Sequence, residues 1–227
     1  MKNLFKDTVK DKVLTEEHPE EFLGKYLVLE QEYKAAIKEV TTKLEILDEE
    51  FKCSHEHNPI HHIETRLKSP KSSINKLIKL NKPLNLEELQ ANVKDIAGVR
   101  VVCNYIDDIY TIAHLLTNQS DITLMTEKDY IANPKPNGYR SLHLVVTVPI
   151  FLSKGVKYVP VEVQIRTIAM DFWASLEHSL RYKVPTDTTK EIEKRLYDCA
   201  ESISLVDSEM QMIHKTIQEH EFTGKES

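Results

Sequence analysis

The chain has 227 residues, 41% hydrophobic and 29% charged, which is ordinary for a soluble globular protein and enough to bury a core without disulfides or structural metals. Its net charge of −6 excludes a binder that holds nucleic acid by overall positive charge, so any phosphate site must be a local concentration of Lys and Arg on an acidic body. No run of 18 apolar residues predicts a membrane-spanning helix, the N-terminus lacks the apolar segment of a signal peptide, and three dispersed cysteines suit a reducing cytoplasm.

Five glycines and nine prolines punctuate the chain sparsely, so helices should dominate. Residues 20–51 read as one long helix, with Tyr26, Tyr33, Ile37, Val40, Leu44, Leu47 and Phe51 recurring at helical spacing. Cys53, His55, His57, His61 and His62 follow within ten residues, bent at Asn58-Pro59. Their spacing matches no standard zinc finger; they are either a regulatory or adventitious Zn2+ site or exposed histidines at a helix end. Arg66, Lys68, Lys71, Lys76 and Lys79 gather on or near a helix predicted to begin around Ser72. On an acidic chain they form either a solvated helix face or a phosphate-binding cluster, with Ser72 and Ser73 as caps or as part of that cluster.

A β-branched run at 97–104 predicts the first core strand, with Asp95 at its entrance and Arg100 projecting from it. A helix over 107–116 and a short strand over 122–125 follow. Turn chemistry from Asn133 to Gly138 leads into a second strong strand at 141–149. Lys128, Lys135, Asn137, Tyr139, Arg140 and His143 crowd that turn, where Tyr139 is either an exposed corner or a stacking platform for a nucleobase. In the third strand, 157–166, Val159, Val161, Val163 and Ile165 take one face and Glu162, Gln164 and Arg166 the other. A carboxylate, an amide and a guanidinium at two-residue spacing read more as a site floor than as a solvated edge. Asp95 and Glu162, on different strands, offer the hard oxygens that a shared Mg2+ takes beside substrate phosphates. An amphipathic helix at 168–182 precedes a long C-terminal one carrying Ile192, Leu196, Cys199, Ile203, Val206, Met210, Ile213 and Ile217. The terminal helices either pack on the core or build a homo-oligomer interface. Strands alternating with helices predict an α/β or α+β core with a central mixed sheet flanked by helices.

Five motifs in order resemble the synthetase domain of the RelA/SpoT family of GTP pyrophosphokinases, specifically its single-domain small alarmone synthetases. They are Arg66-Leu-Lys68, Asp95-Ile-Ala-Gly-Val-Arg100, Asn137-Gly-Tyr-Arg-Ser-Leu-His143, Val161-Glu-Val-Gln-Ile-Arg-Thr167 and Phe172-Trp-Ala-Ser-Leu-Glu-His178. The likeness spans roughly residues 55–185, and Pro59-Ile-His-His62 is most similar to the subtype called RelP. The resemblance implies a nucleotidyltransferase-like sheet in a single domain over 1–227, with segments 20–51 and 188–220 as packing or oligomerisation elements, assembled as a cytoplasmic homotetramer. It also implies transfer of pyrophosphate from ATP to the ribose 3′-hydroxyl of GTP or GDP, releasing AMP, as alarmone synthesis in the stringent stress response. The family's His-Asp hydrolase signature has no room in 227 residues, so no hydrolase activity is expected.

Laid on matching positions, the resemblance assigns Mg2+ to Asp95 and Glu162, and makes Glu162, within reach of Gln164, the acceptor of the 3′-hydroxyl proton. Arg66 and Arg100 would sandwich the ATP adenine, while Lys68, Ser72 and Lys76 hold its phosphates. Tyr139 would stack on guanine beside Asn137, Lys128, Lys135 and His143 would contact acceptor phosphates, and Asp171 would accept guanine N1–H and N2–H. Two rival readings are another nucleotidyltransferase, releasing pyrophosphate instead of AMP, and a silent oligomeric nucleotide- or RNA-binding module. The paired carboxylates speak against the silent module, and the acidic charge against RNA as main ligand.

Overall fold

Alternating apolar residues in three strands bury one face of a five-stranded sheet, and that face organises the protein. The computed structural model describes residues 19–181 and 189–224. In chain order the elements are α1 (Pro19–Ser54), β1 (Ile60–Leu67), α2 (Pro70–Lys79), α3 (Leu86–Asn92), β2 (Ala97–Cys103) and α4 (Ile106–Thr117), then β3 (Thr123–Asp129), β4 (Leu142–Leu152), β5 (Gly155–Thr167), α5 (Ile168–Arg181) and α6 (Thr189–Gly224). The spatial order is β1-β2-β5-β4-β3. Only β2 and β5 run parallel, so the sheet is mixed, as the sequence predicted.

Val99 and Val101 of β2, Leu142, Leu144, Val146 and Val148 of β4, and Val159, Val161, Val163 and Ile165 of β5 are all buried. The helices α1 and α4 close over them with Tyr33, Val40, Leu44, Ile109, Ile112 and Leu116. Burying each such aliphatic side chain contributes about 1.5–3 kcal/mol, which makes this face the main source of stability. Because side chains alternate across a strand, the opposite face is free to be polar.

Three elements depart from the sequence reading. β1 starts in the middle of the Cys/His cluster, where a bend and a helix end were expected. Its sequence, Ile-His-His-Ile-Glu-Thr-Arg-Leu, lacks clean alternation because it is an edge strand, and pairing with β2 decides its conformation. The helix α2 begins at Pro70, not Ser72: Ser69 is the cap, its Oγ accepting from the Ser72 N–H, and Pro70 suits the first turn because its missing N–H is not needed there. Ser73, expected as a cap, is buried inside the helix. The short helix α3 was not foreseen; Asn85 caps it, accepting from the Glu88 N–H at 2.7 Å.

The C-terminal helix α6 forms as predicted but turns its polar side inward. Asp207 accepts from Thr167 Oγ1 at 2.6 Å and Gln211 Oε1 from the Asp107 N–H at 2.9 Å, both residues being buried. Of the apolar seam, Val206, Met210, Ile213 and Ile217 lie exposed, with Leu205 beside them. The domain has already filled its core with α1 and α4, so α6 meets it through these hydrogen bonds and a small apolar contact at the buried Ala200. Among the described residues, no helix is long and apolar enough to cross a membrane.

Candidate active site

The sheet register gathers the predicted site residues on the polar face. One row runs Glu64 (β1), Arg100 (β2), Gln164 (β5), His143 (β4) and Lys128 (β3), each in register with the next. A five-strand row spans roughly 19 Å at the usual strand spacing. In the adjoining row Arg66 pairs with Gly98 and Gly98 with Glu162, so no side chain stands between the arginine and the carboxylate. Paired residues share a face, so Arg66, Arg100, Glu162, Gln164, His143 and Lys128 form one floor.

Asp95 sits just before β2 and receives Lys68 Nζ at 2.9 Å and Lys76 Nζ at 2.8 Å. Burial pushes its carboxyl up, but the hydrogen bonds and charges of Lys76 and Lys68 prevail and hold it below the usual value. Glu162 behaves likewise. Burial raises it, His143 and Gln164 more than offset that, and the nearby Asp95 charge works in the raising direction. The two carboxylates therefore feel each other, and both remain ionised at neutral pH. Both are hard oxygen donors, the kind a divalent cation takes beside phosphate oxygens.

Around Glu162 lies a closed ring of polar contacts. Gln164 Nε2 donates to Glu162 Oε2 at 2.8 Å, and His143 Nδ1 lies 3.5 Å from Oε1. His143 Nε2 is 2.7 Å from the Tyr139 hydroxyl. Arg166 bridges the far side, 2.7 Å from Gln164 Oε1 and 3.2 Å from Tyr139 Oη. Lys135 Nζ stands 4.5 Å over the Tyr139 ring and 4.4 Å over that of Tyr130, at cation–π range. Burial lowers the Lys135 pKa and raises that of Tyr139.

The loop carrying Asn137 and Tyr139 is held from outside by α5 and α6. Asn137 Nδ2 donates to Glu177 at 3.3 Å and Arg140 pairs with Glu201 at 2.8 Å. Gly138 has φ +85°, and a Cβ there would lie 2.5 Å from Ala200 Cβ, so both its conformation and its neighbour demand glycine. Thus α6 reaches the loop before β4 by direct packing.

A family model described as a region found in RelA/SpoT proteins matches residues 65–187, more than half of the chain and all of this floor except Glu64. The chain belongs to the RelA/SpoT family. The GTP pyrophosphokinase YwaC of Bacillus subtilis is 44% identical over 185 residues, covering 82% of this chain and 88% of that protein. Small alarmone synthetase 1 of Bacillus subtilis, solved with its product pppGpp, aligns with a TM-score of 0.78 at 36% identity, over 86% of this chain and 99% of that one. The same synthetase bound to AMPCPP aligns at 0.74 and 34% identity, over 86% and 99%.

Not every predicted residue of this RelA/SpoT-family chain sits where the sequence suggested. Asp171, in the first turn of α5, is 3.3 Å from Arg100 Nη1 and 3.4 Å from Arg166 Nη1, so its carboxylate is shared by two arginines. Arg100 also pairs with Glu64 at 3.1 Å, a partner the sequence reading missed because β1 was not recognised as a strand. Ser72 Oγ accepts from Ser69 Oγ on the exposed start of α2. The histidine cluster does not converge. His57 bonds Asp108 at 2.9 Å, His55 packs on Phe51, and His61 and His62 face one another. Among the described residues no three His, Cys, Asp or Glu side chains gather to hold a metal, so the expected zinc set of His55, His57, His61 and His62 is not a common site. The cause is β1, which begins inside the cluster and sends its residues to different partners.

Proposed function

We propose that the protein is a GTP pyrophosphokinase of the small alarmone synthetase kind, moving pyrophosphate from ATP to the ribose 3′-hydroxyl of GTP or GDP and releasing AMP. The observation that carries this reading is the order of charges across the floor. The ionised pair Asp95 and Glu162 stands between one cationic group at the β1 and α2 side (Arg66, Lys68, Lys76) and another at the β3 and β4 side (Lys128, Lys135). Two polyphosphates entering from opposite sides meet at the acidic pair. The similarity to synthetases solved with pppGpp and with AMPCPP supports the same reading.

Lys68 and Lys76 are placed to pass from Asp95 to the ATP phosphates, with Ser72 at the exposed start of α2, while Arg66 and Arg100 take the adenine. Tyr139 offers its ring to guanine, Asn137 shares its loop, Lys128, Lys135 and His143 meet the acceptor phosphates, and Asp171 takes the guanine edge. Mg2+ held by Asp95 and Glu162 would neutralise charge building up on the transferred group. Phosphoryl transfer needs little more than positioning and charge compensation, so a rigid floor suffices. Glu162, ionised and oriented by Gln164, takes the 3′-hydroxyl proton. The exposed apolar seam of α6 fits assembly with further copies as a cytoplasmic homotetramer.

The test is direct. Incubation with γ-labelled ATP, GTP and Mg2+, resolved by anion-exchange chromatography, should yield a labelled guanosine pentaphosphate and an equal amount of AMP. Release of pyrophosphate with a nucleotidylated product would overturn the reading in favour of a nucleotidyltransferase.

A further inference from the structure

The ring around Glu162 has a direction, and that direction starts at a residue with no role in the reading above. Arg166 is 2% exposed and lies at the end of β5, in a position where a charged side chain is retained only with partners. A guanidinium donates and never accepts; an ionised carboxylate accepts and never donates. Arg166 Nη2 therefore donates to Gln164 Oε1 at 2.7 Å, which leaves the Gln164 amide N–H free to donate to Glu162 Oε2 at 2.8 Å. Arg166 also donates to Tyr139 Oη at 3.2 Å. Tyr139 Oη also lies 2.7 Å from His143 Nε2, and His143 Nδ1 stands 3.5 Å from Glu162 Oε1. Two paths thus run from one guanidinium toward the two oxygens of one carboxylate, and on the path through Gln164 each hydrogen bond has a single orientation. The remaining Nη1 reaches Asp171 at 3.4 Å, tying α5 to the same hub.

We infer that Arg166 is a positioning residue of the pyrophosphate-transfer centre: it fixes Gln164, Tyr139 and His143 in one hydrogen-bond arrangement and so aims the Glu162 carboxylate at the acceptor nucleotide stacked on Tyr139. The inference rests on the proposed activity. It assigns Arg166 to the acceptor half of the reaction, because its hydrogen bonds to Gln164 and Tyr139 lead to that half, whereas it meets the ATP half only indirectly, through the Asp171 carboxylate it shares with Arg100. Lysine cannot replace it, since the planar guanidinium sends Nη2 to Gln164 and Tyr139 and Nη1 to Asp171 in one fixed fork, which an ammonium on a flexible stem does not present.

The experiment measures initial rates for wild type, Arg166→Lys, Tyr139→Phe and the double variant, varying GTP and ATP separately, with thermal melting of each protein. Tyr139→Phe keeps the stacking ring and removes only the hydroxyl link. Arg166→Lys should keep its fold, lose about 10²-fold in kcat, the order expected of a small misplacement of reacting groups, raise KM for GTP and leave KM for ATP within two-fold. Tyr139→Phe should change kcat in the same direction by a smaller factor, and the double variant should fall by less than the product of the single effects. Rates within two-fold of wild type in a folded Arg166→Lys, equal rises in both KM values, or fully multiplicative effects would overturn the inference. If Arg166→Lys does not fold, Tyr139→Phe decides alone: kcat within two-fold of wild type overturns it, and a greater loss with KM for ATP unchanged supports it. A wild-type protein that makes no guanosine polyphosphate overturns the proposed activity and this inference with it, whereas an active wild type with unaffected variants overturns the inference alone.

Discussion

Replacing Gly138 by Ala tests the packing of α6 against the loop that carries Asn137 and Tyr139. The new Cβ would stand 2.5 Å from Ala200 Cβ and 3.5 Å from Tyr197 Cδ2, on a backbone with φ +85°. An L-residue in left-handed conformation costs about 1–2 kcal/mol. An overpacked contact between a loop and a helix that must give way adds roughly 1–3 kcal/mol. Together these place the loss near 3 kcal/mol, which for a chain of this length lowers Tm by roughly 6–12 °C. Differential scanning calorimetry at one fixed protein concentration reads the shift, since any assembly would make Tm depend on concentration. Ala200→Gly supplies the internal control. Alone it costs about 1 kcal/mol as a helix glycine, but in the Gly138→Ala background it removes the steric overlap, so the double variant should be more stable than the sum of the single losses by roughly 1–2 kcal/mol. Gly138→Ala melting within 1 °C of wild type, or strictly additive losses, would refute the packing argument. The same variant should raise KM for GTP, because Asn137 and Tyr139 flank the strained position.

Glu162→Gln should abolish turnover while nucleotide binding, followed by calorimetric titration, persists; activity within a few-fold of wild type removes Glu162 from proton transfer. Tyr139→Ala should weaken GTP far more than ATP in steady-state kinetics, and equal weakening of both contradicts stacking on guanine. Asp207 is pushed above its ordinary pKa by burial, only partly opposed by the Thr167 hydroxyl, so its folded pKa exceeds its unfolded one. Protonated Asp207 is thus favoured in the fold, and that stability is present at acid pH and lost as pH rises through the folded pKa. In urea titrations, Asp207→Asn should therefore gain on wild type between pH 3 and pH 7, and a difference independent of pH or of opposite slope counts against it. Val206→Glu with Met210→Glu should shift the assembled protein to smaller species by light scattering, since both residues lie on the exposed face of α6; an unchanged mass excludes that face from assembly.

The polar floor was largely legible because its residues lie on strands with strong alternation. Val159 to Ile165 announce β5, and the period of two then forces Glu162, Gln164 and Arg166 onto the other face. Glu64 and the true start of α2 were not legible. β1 is an edge strand without an apolar stripe, so its conformation comes from pairing with β2, and Ser69 is a cap only because Pro70 opens the helix behind it. Of the two readings of the histidine cluster, the metal site fails because closeness in sequence is not closeness in space, and a strand beginning at Ile60 disperses the residues.

Local pattern alone determined where the long helices and the three core strands form and which face of β5 is polar, since periodicity and burial act over a few neighbouring residues. Strand order, register and the docking of α6 depend on contacts between segments far apart in the chain, which no local period encodes. Those contacts put Asp95 within electrostatic range of Glu162, ran the Glu64-to-Lys128 row across the sheet, and placed Ala200 against Gly138. They also closed the ring through Arg166: Gln164 and Asp171 are its neighbours in sequence, but Tyr139 reaches it from a loop 27 residues earlier.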